Sequence, residues 1–237
     1  MIECFASPLN VYNRQYCSIF YQDLDCHFGS SGDFFSVPLG HFKKYGDIHE
    51  ANPPFSPGLM TNMVERIKEH LEFAESEYRQ NKNDGKLTFV VVVPSCKSKT
   101  SVTNFDNLVQ NLASDSYNSM IKSSFCTKHI VLKAREHGYV EGSQHLRQTR
   151  YKESQYNTSI IILQSQNAKE FERENPTFCS KEFETDIRKS FSSRHHLELD
   201  ERRSRLGGKE KKIGSEKKIV KEKRILKTKN RQRSNQP

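Results

Sequence analysis

The chain has 237 residues and a formal net charge of +9, from 38 Lys+Arg against 29 Asp+Glu. That length suits one globular body and a tail. The charge belongs to the tail: residues 200–237 hold 15 Lys/Arg and 5 Asp/Glu, which leaves the body close to neutral. The six cysteines lack CxxC or zinc-ligand spacing, no apolar run is long enough to span a bilayer, and no tryptophan is present to build a WW domain. No basic-then-apolar leader is expected at the start, and reduced thiols are the default.

Residues 2–6 read as a short buried strand. A core strand so near the first residue sets the expectation either of missing upstream residues or of a fragment or divergent copy. Residues 7–47 are loop-rich and aromatic, with a turn signal at Gly29-Ser30-Ser31-Gly32 and a possible strand at 33–39. A strand at 48–51 leads into Asn52-Pro53-Pro54-Phe55, and a long amphipathic helix follows. Ser56 suits the cap and Pro57 the first helical position, while Met60, Met63, Val64, Ile67, Leu71, Ala74 and Tyr78 form an apolar stripe. Asn83-Asp84-Gly85 breaks the helix.

The β-branched run at 87–93 has the pattern of a strand buried on both faces. A polar loop over 95–104, helix within 105–123, a strand at 129–134, a polar connection over 138–151 and a strand at 157–164 complete the pattern. Residues 170–196 read as helical. The order is that of an α/β fold closed by an antiparallel hairpin. Low hydrophobicity and dense charge predict disorder from residue 200 onward. The expected division is a core over 1–168, a helical extension over 169–199 and a disordered basic tail over 200–237.

The chemistry concentrates at Asn52-Pro53-Pro54-Phe55. The exocyclic nitrogen of adenine is a poor nucleophile because its lone pair is conjugated into the ring. An Asn amide oxygen and a backbone carbonyl of the Pro-Pro segment can accept its two N–H groups. Both bonds strengthen as positive charge grows on nitrogen, so they stabilise the transition state for attack on a sulfonium methyl. Two prolines stiffen the turn, and Phe55 offers a stacking face for a base taken out of its stack. No metal is required. The motif follows a strand and precedes a helix, where open α/β sheets bind ligands.

Other segments extend the signal: Glu3-Cys4-Phe5-Ala6-Ser7-Pro8-Leu9-Asn10, Tyr16-Cys17, Glu50-Ala51 before the motif, Gly142-Ser143-Gln144-His145 and Asn157-Thr158. Together, in order from residue 2 to about 165, they resemble the phosphorylated-CTD-interacting-factor family of cap-specific mRNA N6-adenosine methyltransferases. The FAS and NPPF pattern also looks like phage-type DNA adenine methyltransferases.

The resemblance implies a Rossmann-like class I methyltransferase sheet, S-adenosyl-L-methionine as cofactor, and the cap-adjacent 2′-O-methyladenosine of mRNA as substrate. It implies catalytic roles for Asn52, Pro53, Pro54 and Phe55, and cofactor contacts from Glu3, Cys4, Phe5, Ala6, Ser7 and Asn10. Lys97, Gln144 and His145 are the expected substrate contacts. DNA adenine, internal RNA adenosine and a catalytically inactive RNA-binding remnant stand as alternatives. Relatives of this kind carry a WW domain and a helical region before the core. They usually have a tryptophan beside a basic residue where this chain has Ser95-Cys96-Lys97, and commonly a polar or acidic group where it has Pro57. Without tryptophan, no WW domain is expected here, and binding to the polymerase C-terminal domain is not supported.

Lys99, Lys128 and Lys133 are further candidate phosphate contacts. Cys96 lacks a placed base, and His195-His196 lack further metal ligands, so both read as idle. The basic runs within 209–231 suit nonspecific RNA binding or nuclear import. The expected location is the nucleus, with the cytoplasm open, and no membrane contact is expected.

Overall fold

The computed structural model describes residues 1–81, 85–95, 115–140 and 151–192. The chain divides into two units, Met1–Ser193 and Arg194–Pro237, and the described residues all fall in the first.

Among the described residues, six strands and four α-helices build this unit. They are β1 (Ile48–Ala51), α1 (Pro57–Gln80), β2 (Thr88–Pro94), α2 (described over 115–122), β3 (Cys126–Leu132), β4 (Gly138–Val140), β5 (Tyr151–Glu153), β6 (Thr158–Gln164), α3 (Gln166–Glu174) and α4 (Lys181–Ser190). The main sheet runs β1-β2-β6-β3, with β1 parallel to β2 and β6 antiparallel to both β2 and β3. The antiparallel pair of β3 and β6 is the expected closing hairpin. β4 and β5 lie between them in sequence and form a separate two-stranded ladder.

Residues 2–6 form no strand. They meet the sheet through one bridge: Glu3 pairs in parallel with Glu50 on one side and with Tyr16 on the other, and Tyr16 pairs in parallel with Ser30. Gly46 at φ +98° and Pro53 bracket β1, which limits it to four residues. The expected strand at 33–39 is instead a turn. The Asp33 carbonyl accepts the N–H groups of Ser36 and Val37, and its carboxylate accepts the Phe35 N–H and the Ser36 hydroxyl, so the local bonds win over strand pairing.

α1 and α2 cover one face of the sheet. Met60, Met63, Ile67, Leu71 and Ala74 of the expected stripe are buried against Ala51, Phe89, Val91, Val93, Ile161 and Leu163, with Tyr117 and Met120 from α2. Each such side chain contributes about 1.5–3 kcal/mol on burial. Val64 and Tyr78 are only partly buried. Ser56 occupies the cap position of α1 without a side-chain cap bond. Beyond the helix, Gly85 sits at φ +79°, and a Cβ there would overlap the Ala74 carbonyl oxygen.

The opposite face buries Ile130, Leu132, Ile160 and Ile162 with Phe178, and Phe183, Ile187 and Phe191 pack beside them. α4 therefore belongs to the body, and the expected boundary at 168/169 has no counterpart in the packing. The tail over 200–237 lies outside the described residues. Among those described, no helix is long and apolar enough to cross a membrane.

Histidines intrude on the first core. His49 and His70 are 0% and 1% exposed, and their rings lie 4.9 and 4.7 Å from that of Phe42. The Ile2 N–H donates to His49 Nδ1, while Nε2 of both rings makes no close hydrogen bond among the described residues. Burial holds the His49 pKa down at about 3 and that of His70 at about 4. The unfolded chain binds these protons more readily, so each ring lowers stability as pH falls from about 6.5 towards those values. Between pH 7 and pH 5 the urea midpoint of the chain should fall. His70→Gln should remove roughly 2 kcal/mol of that loss, measured by paired denaturation curves.

Candidate active site

Parallel pairing makes several chain segments leave the sheet along one edge. β1 and β2 run together, Glu3 joins β1 in the same sense, and β3 shares their direction because both it and β2 oppose β6. Residues 5–10, the Asn52 corner, Ser95 and Lys133 therefore emerge along the carboxyl edge, where α/β folds place ligand chemistry.

Asn52 is exposed and makes no hydrogen bond to another described residue. Pro53 is buried and anchors the corner, Pro54 is exposed, and the Phe55 side chain is 51% exposed. The Pro54 carbonyl accepts the Ser56 N–H at 2.8 Å. The corner thus presents an amide and an aromatic ring to solvent, held by a buried proline on one side and a 24-residue helix on the other.

The neighbouring loop is tightly closed. Asn10 Oδ1 accepts the Ser7 N–H at 2.7 Å and the Ser7 hydroxyl at 3.0 Å, and the Ser7 carbonyl accepts the N–H groups of Asn10 and Val11. Glu3 Oε1 accepts the N–H groups of Tyr12 and Asn13. Phe5 packs 4.8 Å from Phe34 in the aromatic core, and Ala6 donates its N–H to the Cys17 carbonyl. Cys4 does not match its expected role. Its side chain is fully buried in the first core and burial pushes its thiol well up, so it supports the loop from beneath. Glu3 and Asn10 serve first to shape the loop.

Two carboxyls meet beside the corner. Glu3 and Glu50 pair across the bridge, which places both side chains on one face. Burial, and then Glu3, push the Glu50 carboxyl up to about 7. Its raised pKa means that the stability it contributes below about 4.5 is lost as pH rises through 7. Glu50→Gln should therefore raise the thermal midpoint more at pH 8 than at pH 5, read by scanning calorimetry. Sequence reasoning placed Glu50 in the motif segment without a role, although strand alternation puts it on the same side as Asn52.

Lys97, Lys99, Cys96, Gln144, His145 and His195-His196 lie outside the described residues. Lys128 is paired with Glu184 at 3.2 Å and Lys133 with Glu136 at 4.0 Å, so neither cation is free. Among the described residues, no group of His, Cys, Asp and Glu could hold a metal.

An α/β sheet that presents Asn52 and Phe55 at its carboxyl edge defines a candidate ligand site. Comparison with known proteins then gives the family. The family described as "Phosphorylated CTD interacting factor 1 WW domain" matches residues 1–142, and the chain belongs to it. Relatives from Mus musculus and Homo sapiens, each named mRNA (2'-O-methyladenosine-N(6)-)-methyltransferase, are 34% and 33% identical over 165 residues. The alignments cover 69% of this chain and 19% and 20% of those relatives, so the chain spans about one fifth of their length. The family's description runs against the expectation of no WW domain in this chain. That expectation rested on the missing tryptophan. The match instead spreads over β1, α1, β2 and β3, a mixed α/β region rather than one small tryptophan-built fold.

Proposed function

We propose that this chain is the catalytic body of an RNA methyltransferase. It would act on N6 of the cap-adjacent 2′-O-methyladenosine of mRNA and use S-adenosyl-L-methionine. The order Ser30, Tyr16, Glu3, β1, β2, β6, β3, with β6 reversed, supports a Rossmann-like class I methyltransferase sheet whose first three positions are reduced to single bridges. The observation that carries the reading is the Asn52 amide, exposed and unpaired among the described residues at the carboxyl edge.

The donor set fits the cofactor. Its ammonium and sulfonium are cationic, and the adjoining Glu3 and Glu50 carboxyls form a site whose repulsion a cation relieves. Glu3, Phe5, Ala6, Ser7 and Asn10 would hold it through the closed 5–10 loop. When bound, it supplies an electrophilic methyl group.

The chain's own residues do the rest. The Asn52 amide oxygen accepts one N–H of the adenine amino group. A backbone carbonyl of the Pro53-Pro54 segment is the second acceptor; the Pro54 carbonyl accepts the Ser56 N–H and keeps a second lone pair. Both acceptors favour the charge that develops on nitrogen. Phe55 stacks on the extruded base, and Lys97, Gln144 and His145 are assigned to the RNA. The nucleus is the proposed location.

Asn52→Ala should abolish methyl transfer with an unchanged thermal midpoint, measured with a labelled methyl donor. Turnover at the parental rate would refute the assignment. Phe55→Ala should weaken RNA binding by ~1–3 kcal/mol, read by fluorescence anisotropy. Capped RNA, uncapped RNA and DNA of one sequence should be methylated in that order of preference.

A further inference from the structure

We propose that Tyr117 is a positioning residue whose hydroxyl fixes the separation between the two walls of the candidate active site. The catalytic consequence rests on the function proposed above; the coupling itself does not.

Tyr117, on the first described turn of α2, is 1% exposed. Its hydroxyl lies 3.1 Å from His129 Nε2 on β3, 3.0 Å from Ser159 Oγ on β6 and 3.4 Å from Ser95 Oγ at the exit of β2. His129 Nε2 and Ser159 Oγ are themselves 3.0 Å apart. One arrangement satisfies the centre of this group. The Tyr117 hydroxyl donates to His129 Nε2 and accepts from the hydroxyls of Ser95 and Ser159, which uses its one proton and both lone pairs. Ser159 is 0% exposed and Ser95 6%, so water does not substitute readily for a lost partner.

The adjacent residue completes the link. Ser116 Oγ lies 2.8 Å from Thr61 Oγ1, in the first turns of α1. That helix begins two residues after Phe55. Residues 116 and 117 therefore tie the helix that carries the Asn52 corner to the residue at which the chain leaves β2. They do so from a point pinned to β3 and β6. A hydroxyl that binds three groups is a discrete constraint on two walls that must close around a base.

The test uses the full chain and two readouts. In Tyr117→Phe, amide hydrogen exchange should rise at both 57–64 and 88–95 while α4 is unaffected. The kcat for RNA methylation should fall about tenfold or more, with KM for the methyl donor unchanged. Adding Ser95→Ala to Tyr117→Phe should cost nothing further, because both remove one shared contact. A merely structural role would raise exchange evenly across the body and give additive losses, and either result overturns the proposal. So does unchanged exchange at one of the two walls. Should Tyr117→Phe fail to fold, Ser95→Ala alone must raise exchange at 88–95, and its failure to do so also overturns it. A parental chain inactive on every adenosine substrate counts against the proposed function only, and the exchange result still decides the coupling.

Discussion

Two backbone hydrogen bonds organise the functional half of this molecule. The Cys4 N–H reaches the Glu50 carbonyl at 2.8 Å, and the Glu50 N–H reaches the Ile2 carbonyl at 3.0 Å. They dock the opening residues alongside β1 in the same direction. Consequently the 5–10 loop and the Asn52 corner, far apart in sequence, leave the sheet side by side. The bonds also create the site's main tension, since parallel register forces the Glu3 and Glu50 side chains onto one face. Half of that tension is relieved locally, because Glu3 is held by the N–H groups of Tyr12 and Asn13. Glu50 keeps its proton to near neutrality instead.

Much of this architecture was legible in the residues. The run Phe89-Val90-Val91-Val92-Val93 could be nothing but a central strand, and the stripe Met60, Met63, Ile67, Leu71 and Ala74 faces the core as its spacing requires. What failed were segments in which backbone groups bond locally. Asp33 captured four donors and turned an apparent strand into a turn. Residues 2–6 carry strand-like chemistry, yet the chain turns away once Cys4 has paired. The boundary expected at 168/169 falls inside α3, and beyond it Phe178, Phe183, Ile187 and Phe191 pack into a second core.

The site was legible in part, for a physical reason. Asn52, Pro53, Pro54 and Phe55 are contiguous, so their chemistry can be read as a word. Tyr117, His129, Ser159 and Ser95 become neighbours only through the sheet's register and the docking of α2, and no local spacing announces that. The same holds for His49 and His70, which lie on different elements and meet around Phe42. Cys4 shows the converse limit. It belongs to the motif by sequence, but its side chain is buried in the first core.

The position of β6 has a consequence for biosynthesis. This strand arrives after every other strand of the main sheet, yet it fits between β2 and β3 and supplies the backbone partners of both. Until residue 164 has left the ribosome, β2 has one bare edge and β3 cannot be anchored to it. Between the synthesis of residue 94 and that of residue 164 the nascent chain therefore carries an open apolar strand edge that awaits a long-range partner.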